Sequence, residues 1–348
     1  MGSFCALSVH IKKGDEWKAA FMTNEGLFEP TVMFFGLMNS PATFQMMMNS
    51  VFAPEIAEQW LTIYMDDMAI HTVKLPNESD EQHLQQHHKL VNRILAKLQE
   101  HNLFLKPEKC TFEQPKIEFL EVNIDQGTVQ MDNMKIEKVK KWITPHNVRE
   151  VCKFLGFTGY YRYFIQDYSK KVHPLLYLTH NTTPWHWGQD QQMVFETLRD
   201  AMCDKPILRQ PDFTRPFYVL TDASAYGMGA ILSQEGESDI LHVETPHKKP
   251  KLHPVTYYSA TFTETECNYD IYNRELLAIM KAITHWRPYL IWTETPFTIY
   301  TNHANLLYWK SPCKLNRRTA QWHSELQDYH FTLEHVPRKT YTAADALS

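Results

Sequence analysis

The sequence predicts an α/β chain of the α+β kind with more than one domain, and three observations lead there. At 348 residues it exceeds the ~100–200 of a single domain, so two or three domains are expected. Two β-prone runs, Trp60–Ile63 and Met68–His71, flank the acidic turn Tyr64-Met65-Asp66-Asp67 and read as a hairpin. The final third alternates strand, strand, strand, helix, strand, helix, the pattern of a mixed sheet with helices packed on it.

In chain order, Trp17 to Phe21 and Leu27 to Phe28 form a predicted hairpin across Asn24-Glu25-Gly26. Pro41 opens a helix to about Phe52, with Ser40 as its N-cap. After the acidic hairpin, the polar linker Pro76–Asp80 leads into a helix whose Leu84, Val91, Ile94, Leu95 and Leu98 recur at helical spacing. His83 and His87, four apart there, have the spacing of a metal pair but lack the His-Glu-x-x-His pattern, and read as surface residues. Short strands fall around Phe119 to Ile124, and helices carry Ile136, Val139, Trp142, Val151, Phe154 and Leu155 inward. Tyr160, Tyr161, Tyr163 and Phe164 are mostly core, with base stacking open to one or two of them. Trp185-His186-Trp187 begins a connector, and Pro211 to Pro216 marks the next boundary. Beyond it, Phe217–Leu220 and Gly227–Leu232 are strands, Glu264 to Tyr289 one long helix holding Glu275, and Phe297–Tyr300 a further strand, with Asp345 on a last helix.

Composition narrows the function classes. The six cysteines are scattered with no Cys-x-x-Cys pair, which suggests neither a disulfide framework nor a zinc site. No apolar run reaches the ~20 residues of a membrane span, and no basic-then-apolar leader is present, so a soluble intracellular chain is expected. A net charge of −5 is unlike a protein that grips polyphosphate over its whole surface. Local patches would have to supply that grip: Lys135, Lys138, Lys140 and Lys141, then Lys248, Lys249 and Lys251, then Lys314, Arg317 and Arg318. Each is equally readable as a solvated face.

Two adjacent carboxylates at a tight turn are costly unless a cation sits on them, and magnesium with a phosphate ligand suits hard, closely spaced oxygens. A bare Asp-Asp pair is also an ordinary turn former, so the pair alone leaves both readings open. Its company is more specific. Lys13-Gly14-Asp15-Glu16-Trp17-Lys18-Ala19-Ala20-Phe21 and Phe34-Phe35-Gly36-Leu37-Met38-Asn39-Ser40-Pro41-Ala42-Thr43-Phe44-Gln45 precede it. Leu105-Lys106-Pro107-Glu108-Lys109-Cys110, Phe154-Leu155-Gly156-Phe157-Thr158-Gly159-Tyr160-Tyr161-Arg162-Tyr163-Phe164-Ile165 and Thr221-Asp222-Ala223-Ser224-Ala225-Tyr226-Gly227 follow. With these motifs in this order, nearly the whole chain resembles the polyprotein of gypsy-class long-terminal-repeat retrotransposons, over its reverse transcriptase and ribonuclease H portions.

The resemblance implies a partial right-hand polymerase palm and thumb followed by a ribonuclease H-like mixed-sheet domain. Its boundaries would be a partial palm over 1–125 with the fingers missing, a thumb over 126–180, a connector over 181–212 and the ribonuclease H-like domain over 213–348. It implies Asp66 and Asp67 as polymerase acids, and Asp222, Glu275 and Asp345 as hydrolytic acids with Asn302 in the fourth place. All five acids would be metal ligands. Tyr64, Met65, Gly36, Asn39, Pro41, Gln45 and Lys109 would contact substrate. The implied cofactor is magnesium in two-metal sites, with manganese as the alternative. The implied partners are an RNA template, a DNA primer, an RNA–DNA hybrid and dNTPs, and a second copy or other subunits of the same polyprotein. No membrane is implied, and the location would be a cytoplasmic particle or the nucleus.

Several residues depart from the family pattern. Two magnesium ions ~3.5–4 Å apart need anionic oxygens from distant segments, yet the third hydrolytic acid is Asn302, whose amide brings no charge. That loss is expected to weaken metal binding by about a few kcal/mol and leave hydrolysis weak or absent. The family's first polymerase aspartate would fall at Met1 and its sugar-gating aromatic at Ala6, so the chain as written is not expected to polymerise DNA alone. Glu121 stands where the family usually has Gly, and Arg338, Tyr341 and Ala343 interrupt the usual residues before Asp345. A truncated or decayed open reading frame is one expectation, and a start chosen inside a longer gene is the other. Three function classes follow: an enzyme, a catalytically silent nucleic-acid-binding relic, and a poorly folded remnant.

Overall fold

The computed structural model describes residues 9–336, apart from 35, 76, 126, 205, 237–250, 292, 294, 305 and 307–316. Met1, Ala6, Lys248, Lys249, Lys314, Arg338, Tyr341, Ala343 and Asp345 therefore lie outside the described residues. The chain divides into two compact units, Met1–Leu120 and Glu121–Ser348.

In the first unit, β1 (Phe21–Thr23) pairs antiparallel with β2 (Gly26–Phe28) around Asn24-Glu25. Trp17 is not in this hairpin as expected, because Glu16–Ala19 is a 3-10 turn. There Lys18 pairs with Asp15 three residues back, a contact that suits the tighter turn. Helix α1 (Ser40–Val51) and the short α2 (Ala53–Ala57) precede β3 (Leu61–Tyr64) and β4 (Asp67–Ile70). Ser40 is the first residue of α1 rather than its N-cap, since its hydroxyl donates to the Phe34 carbonyl and the cap position is Asn39. Helix α3 (Asp80–Glu100) starts at a capping box in which Ser79 and Gln82 satisfy each other's backbone N–H. Only a narrow stripe of α3 is buried: Ile94 and Leu98 join Phe44, Met48, Phe52, Trp60 and Leu61, while Leu84 and Leu95 of the expected apolar set face solvent.

Glu55, fully buried on α2, ties that helix to α3. Its carboxylate receives Lys97 Nζ at 2.7 Å and Arg93 Nε at 2.8 Å, and Arg93 also reaches Glu58 at 3.0 Å. Burial pushes the Glu55 carboxyl up, but the Lys97 hydrogen bond and the charges of Lys97 and Arg93 outweigh it and hold it below 4.5. We expect Glu55→Gln to lower stability by about 2–3 kcal/mol, less than for a fully buried pair because both cations keep part of their hydration. A depressed folded pKa gives stability that is complete above the unfolded value of 4.5 and lost as pH falls through the folded one. Urea midpoints measured from neutral pH into acid should therefore converge for the two proteins below that window, and parallel curves would refute the assignment.

In the second unit, β6 (Val122–Asp125), β7 (Thr128–Met131) and β8 (Ile207–Arg209) form antiparallel ladders; the first unit's last strand, β5 (Lys116–Phe119), precedes the boundary. Helices α4 (Asn133–Lys140), α5 (Val148–Tyr160), α6 (Tyr168–Tyr177) and α7 (Gln189–Cys203) pack around a core of Val139, Val151, Phe154, Phe195 and Leu198. Phe154 and Phe195 meet at 4.8 Å between ring centroids. Tyr161 and Phe164 are core as expected, and Tyr160 is half exposed. Glu121 has φ 62°, a left-handed backbone that glycine adopts without strain, so a Gly at this place has a physical reason.

A five-stranded sheet follows, in the order β11-β10-β9-β12-β13. Strands β9 (Tyr218–Ala223), β10 (Gly227–Glu235) and β11 (Leu252–Thr261) are antiparallel, whereas β12 (Phe297–Thr301) runs parallel to both β9 and β13 (Phe331–His335). The single helix expected over Glu264–Tyr289 is three: α8 (Glu264–Cys267), α9 (Ile271–His285) and α10 (Arg287–Leu290). Asp270 breaks the run by capping Asn273 N–H, and Pro288 restarts it within the first turn of α10. Helix α9 buries Leu276, Ile279, Ala282 and Ile283 against Val219, Met228 and Ile299, and α11 (Arg317–Leu326) adds Leu326.

Candidate functional sites

The first candidate site is the β3–β4 turn. Tyr64 pairs with Asp67, leaving Met65 and Asp66 at the tip, and Met65 turns the chain with a left-handed φ of 55°. Alternation along β3 buries Leu61 and exposes Tyr64, while Asp66 and Asp67 are half-buried. Burial pushes the Asp67 carboxyl up, the neighbouring Asp66 charge pushes it further, and Lys109 offsets part of this. A carboxylate pair whose ionisation is opposed by burial and by its own neighbour is what a divalent cation relieves, so this donor set fits magnesium.

Gln45 ties this tip to α1. Its Oε1 accepts from Met65 N–H at 2.5 Å, and its Nε2 donates to the Ile63 carbonyl at 3.3 Å and to Asn49 Oδ1 at 2.8 Å. Of the residues expected to contact substrate, Gln45 thus has its amide committed to the turn. Gly36, with φ 109°, Asn39 and Pro41 are exposed around the start of α1, and Lys109 is exposed in a 3-10 turn. Gln45→Leu should expose the Met65 amide, and its hydrogen-exchange protection should fall by about five- to tenfold, the worth of one hydrogen bond. Unchanged protection would show that Gln45 does not hold the turn.

The second candidate site lies at the ends of β9 and β12. Asp222 is on β9, and Asn302 directly follows β12, which runs parallel to β9. Asn302 Nδ2 donates to Asp222 Oδ1 at 3.1 Å, across 80 residues of sequence. Glu275 is buried on α9, and its neighbour Arg274 reaches the Ser224 carbonyl at 3.4 Å, which brings that helix turn beside the end of β9. Asp222, Asn302 and the Glu275 turn are thus assembled, while Asp345 lies outside the described residues. Lys170 was not foreseen: its Nζ donates to Asp222 Oδ2 at 3.3 Å. No local signal marks a contact between residues 52 apart. With an amide on one oxygen and an ammonium on the other, Asp222 does not fit a divalent metal in this arrangement. Among the described residues, no cluster of three His, Cys, Asp or Glu could hold a metal ion. His83 and His87 instead flank Thr72 Oγ1 at 3.4 and 3.3 Å.

The expected basic patches are partly neutralised. On α4 and its end, Lys135 pairs with Glu121 at 2.5 Å and Lys140 with Glu137 at 2.8 Å. Among the described residues, no helix is long and apolar enough to cross a membrane.

Residues 5–158 match the family model of reverse transcriptase, the RNA-dependent DNA polymerase, and residues 212–329 match that of the RNase H-like domain found in reverse transcriptase. The chain is 35% identical over 342 residues to the transposon Tf2-3 and Tf2-7 polyproteins of Schizosaccharomyces pombe. The match covers 98% of this chain and 24% of each relative, so the chain spans about a quarter of their length. A foamy viral protease-reverse transcriptase in complex with RNA/DNA hybrid has a similar fold, with TM-score 0.72 at 21% identity, over 94% of this chain and 42% of that one. The same kind of protein in complex with dsDNA gives TM-score 0.71 at 20% identity, over 94% and 65%.

Proposed function

Since the chain carries the reverse transcriptase and RNase H-like domains of a retrotransposon polyprotein, we propose that it binds an RNA template–DNA primer duplex and places the primer end and a dNTP at Asp66 and Asp67. The observation that carries this reading is the half-buried aspartate pair at a hairpin tip held from α1 by Gln45. Asp66 and Asp67 would hold magnesium, which when bound supplies charge neutralisation at the triphosphate and a more acidic primer hydroxyl. The chain's own contribution is position. Gln45 fixes the Met65 amide and the Ile63 carbonyl, so the tip cannot swing when a polyanion arrives. Tyr64, exposed at the strand end, offers a ring face beside the acids. The palm, thumb, connector and RNase H-like division at 125, 180 and 212 belongs to this proposal.

For the second half, the donors on both oxygens of Asp222 favour hybrid binding with weak or absent hydrolysis. The test is fluorescence anisotropy with a labelled RNA–DNA duplex over a salt series, followed by dNTP binding to the complex with magnesium. Saturable binding that weakens as salt rises is expected. Equal binding to duplex and to an unrelated polyanion, with no magnesium-dependent dNTP binding, would overturn the reading.

A further inference from the structure

We propose that Lys170 is the resident cation of the Asp222 site, locking the first turn of α6 onto the RNase H-like sheet so that a divalent metal can use Asp222 only by displacing it. The proposal deepens the reading of Asp222 as a hydrolytic acid, and rests on it only where metal is concerned.

The sheet register supplies the argument. Gly229 on β10 is paired with Asp222 on β9 at one side and with Ser259 on β11 at the other, so these three residues form one rung and point to one face. The start of α6 meets all three. Lys170 Nζ is 3.3 Å from Asp222 Oδ2. Ser169 donates its N–H to Ser259 Oγ at 2.8 Å and its hydroxyl to the Ser259 carbonyl at 2.9 Å. The Asp167 carboxylate lies over Gly229 so closely that a Cβ there would be 1.9 Å from its Oδ1. Asp167 holds a left-handed φ of 53°, a conformation that persists where surrounding contacts over-determine it. Asp167 is also 3.6 Å from Lys170, so the ammonium sits between two carboxylates, one from the helix start and one from the sheet.

This arrangement does by itself what a metal does elsewhere: it places a cation between two carboxylates, Asp167 and Asp222. Lys170 and a metal would compete for the same oxygen, so each weakens the other by the same factor. The amide of Asn302 strengthens the lock, because its N–H rather than its carbonyl faces Asp222 Oδ1. A hybrid approaching the Asp222 rung from this face would also meet the first turn of α6.

Two measurements on the whole chain test the proposal. The first is a urea-midpoint cycle in EDTA with Lys170→Met, Asp222→Asn and the double variant. Each single variant should lower the midpoint, and the double should be little worse than either. Additive losses would overturn the lock. The second is Mn2+ binding followed by electron paramagnetic resonance, with Asp222→Asn subtracted to isolate this site. Lys170→Met should tighten the Asp222-dependent part by about tenfold. Gly229→Ala, which displaces Asp167 and leaves the Lys170 ammonium to Asp222 alone, should weaken it. Unchanged Mn2+ affinity in both variants would overturn the displacement. A non-additive cycle with no Asp222-dependent Mn2+ in any variant would leave the lock standing and refute the hydrolytic reading of Asp222.

Discussion

Replacing Asp67 with asparagine is expected to weaken magnesium-dependent dNTP binding to the chain–duplex complex by about tenfold, the scale of losing one charge-assisted contact, while leaving thermal stability unchanged or higher. The two directions have one cause. Asp67 is half-buried and adjacent to Asp66, and both facts push its carboxyl up, so at neutral pH its ionised form opposes folding. Asparagine has the same shape, keeps the Tyr64–Asp67 backbone pairing and removes that opposition. It also removes the charge that would hold a metal. A melting curve and a dNTP-binding titration on the same preparation decide the matter. A fall of several degrees with unchanged dNTP binding would mean that Asp67 is a structural turn residue.

Asn302→Asp is expected to have the second largest effect, and its sign should depend on metal. Asn302 donates to Asp222 at 3.1 Å, so an aspartate there exchanges a hydrogen bond for two like charges in contact, with the single Lys170 ammonium shared between them. Both positions keep some solvent, which limits the cost in EDTA to about 1–2 kcal/mol. Added magnesium should restore the midpoint, because a cation that Asn302 does not attract now has two carboxylates to bridge. The natural chain should show no comparable recovery at this site. Equal midpoints in EDTA and magnesium would exclude position 302 as a metal-facing position. Cleavage of an RNA–DNA hybrid should rise in the same variant, and further when Lys170→Met is combined with it.

The hairpin at Tyr64–Asp67 was legible in the sequence because two short β-prone runs allow one pairing around two residues. The mixed sheet was legible because strands and helices follow in an order with few alternatives. Helix interruptions were less so: the apolar period from Leu276 to Ile283 masked the punctuation by Asp270 and Pro288, which act through one cap and one ring. Trp17 was misplaced because its β propensity concealed the Asp15–Lys18 contact that favours a turn. The candidate sites divide in the same way. Acidic residues such as Asp66, Asp67 and Asp222 stand out by type and motif. Their holders, Gln45 and Lys170, act from 20 and 52 residues away, and nothing local to either side chain announces its target.

The parallel pairing of β12 with β9 also governs how the second unit is made. Strand β9 gains one neighbour as soon as β10 emerges, but its other edge waits until the chain has reached Phe297. At roughly 5–20 residues per second, a ribosome takes several seconds to get from Ala223 to that point. Throughout this interval the N–H and C=O groups along one side of Tyr218–Ala223 face outward, flanked by apolar Val219 and Leu220. On a crowded polysome, nascent copies of this chain present the same bare edge to one another, and strand exchange between them competes with the arrival of β12. Yield of soluble protein should accordingly fall as ribosome density on the message rises, even with every residue of the mature fold unchanged.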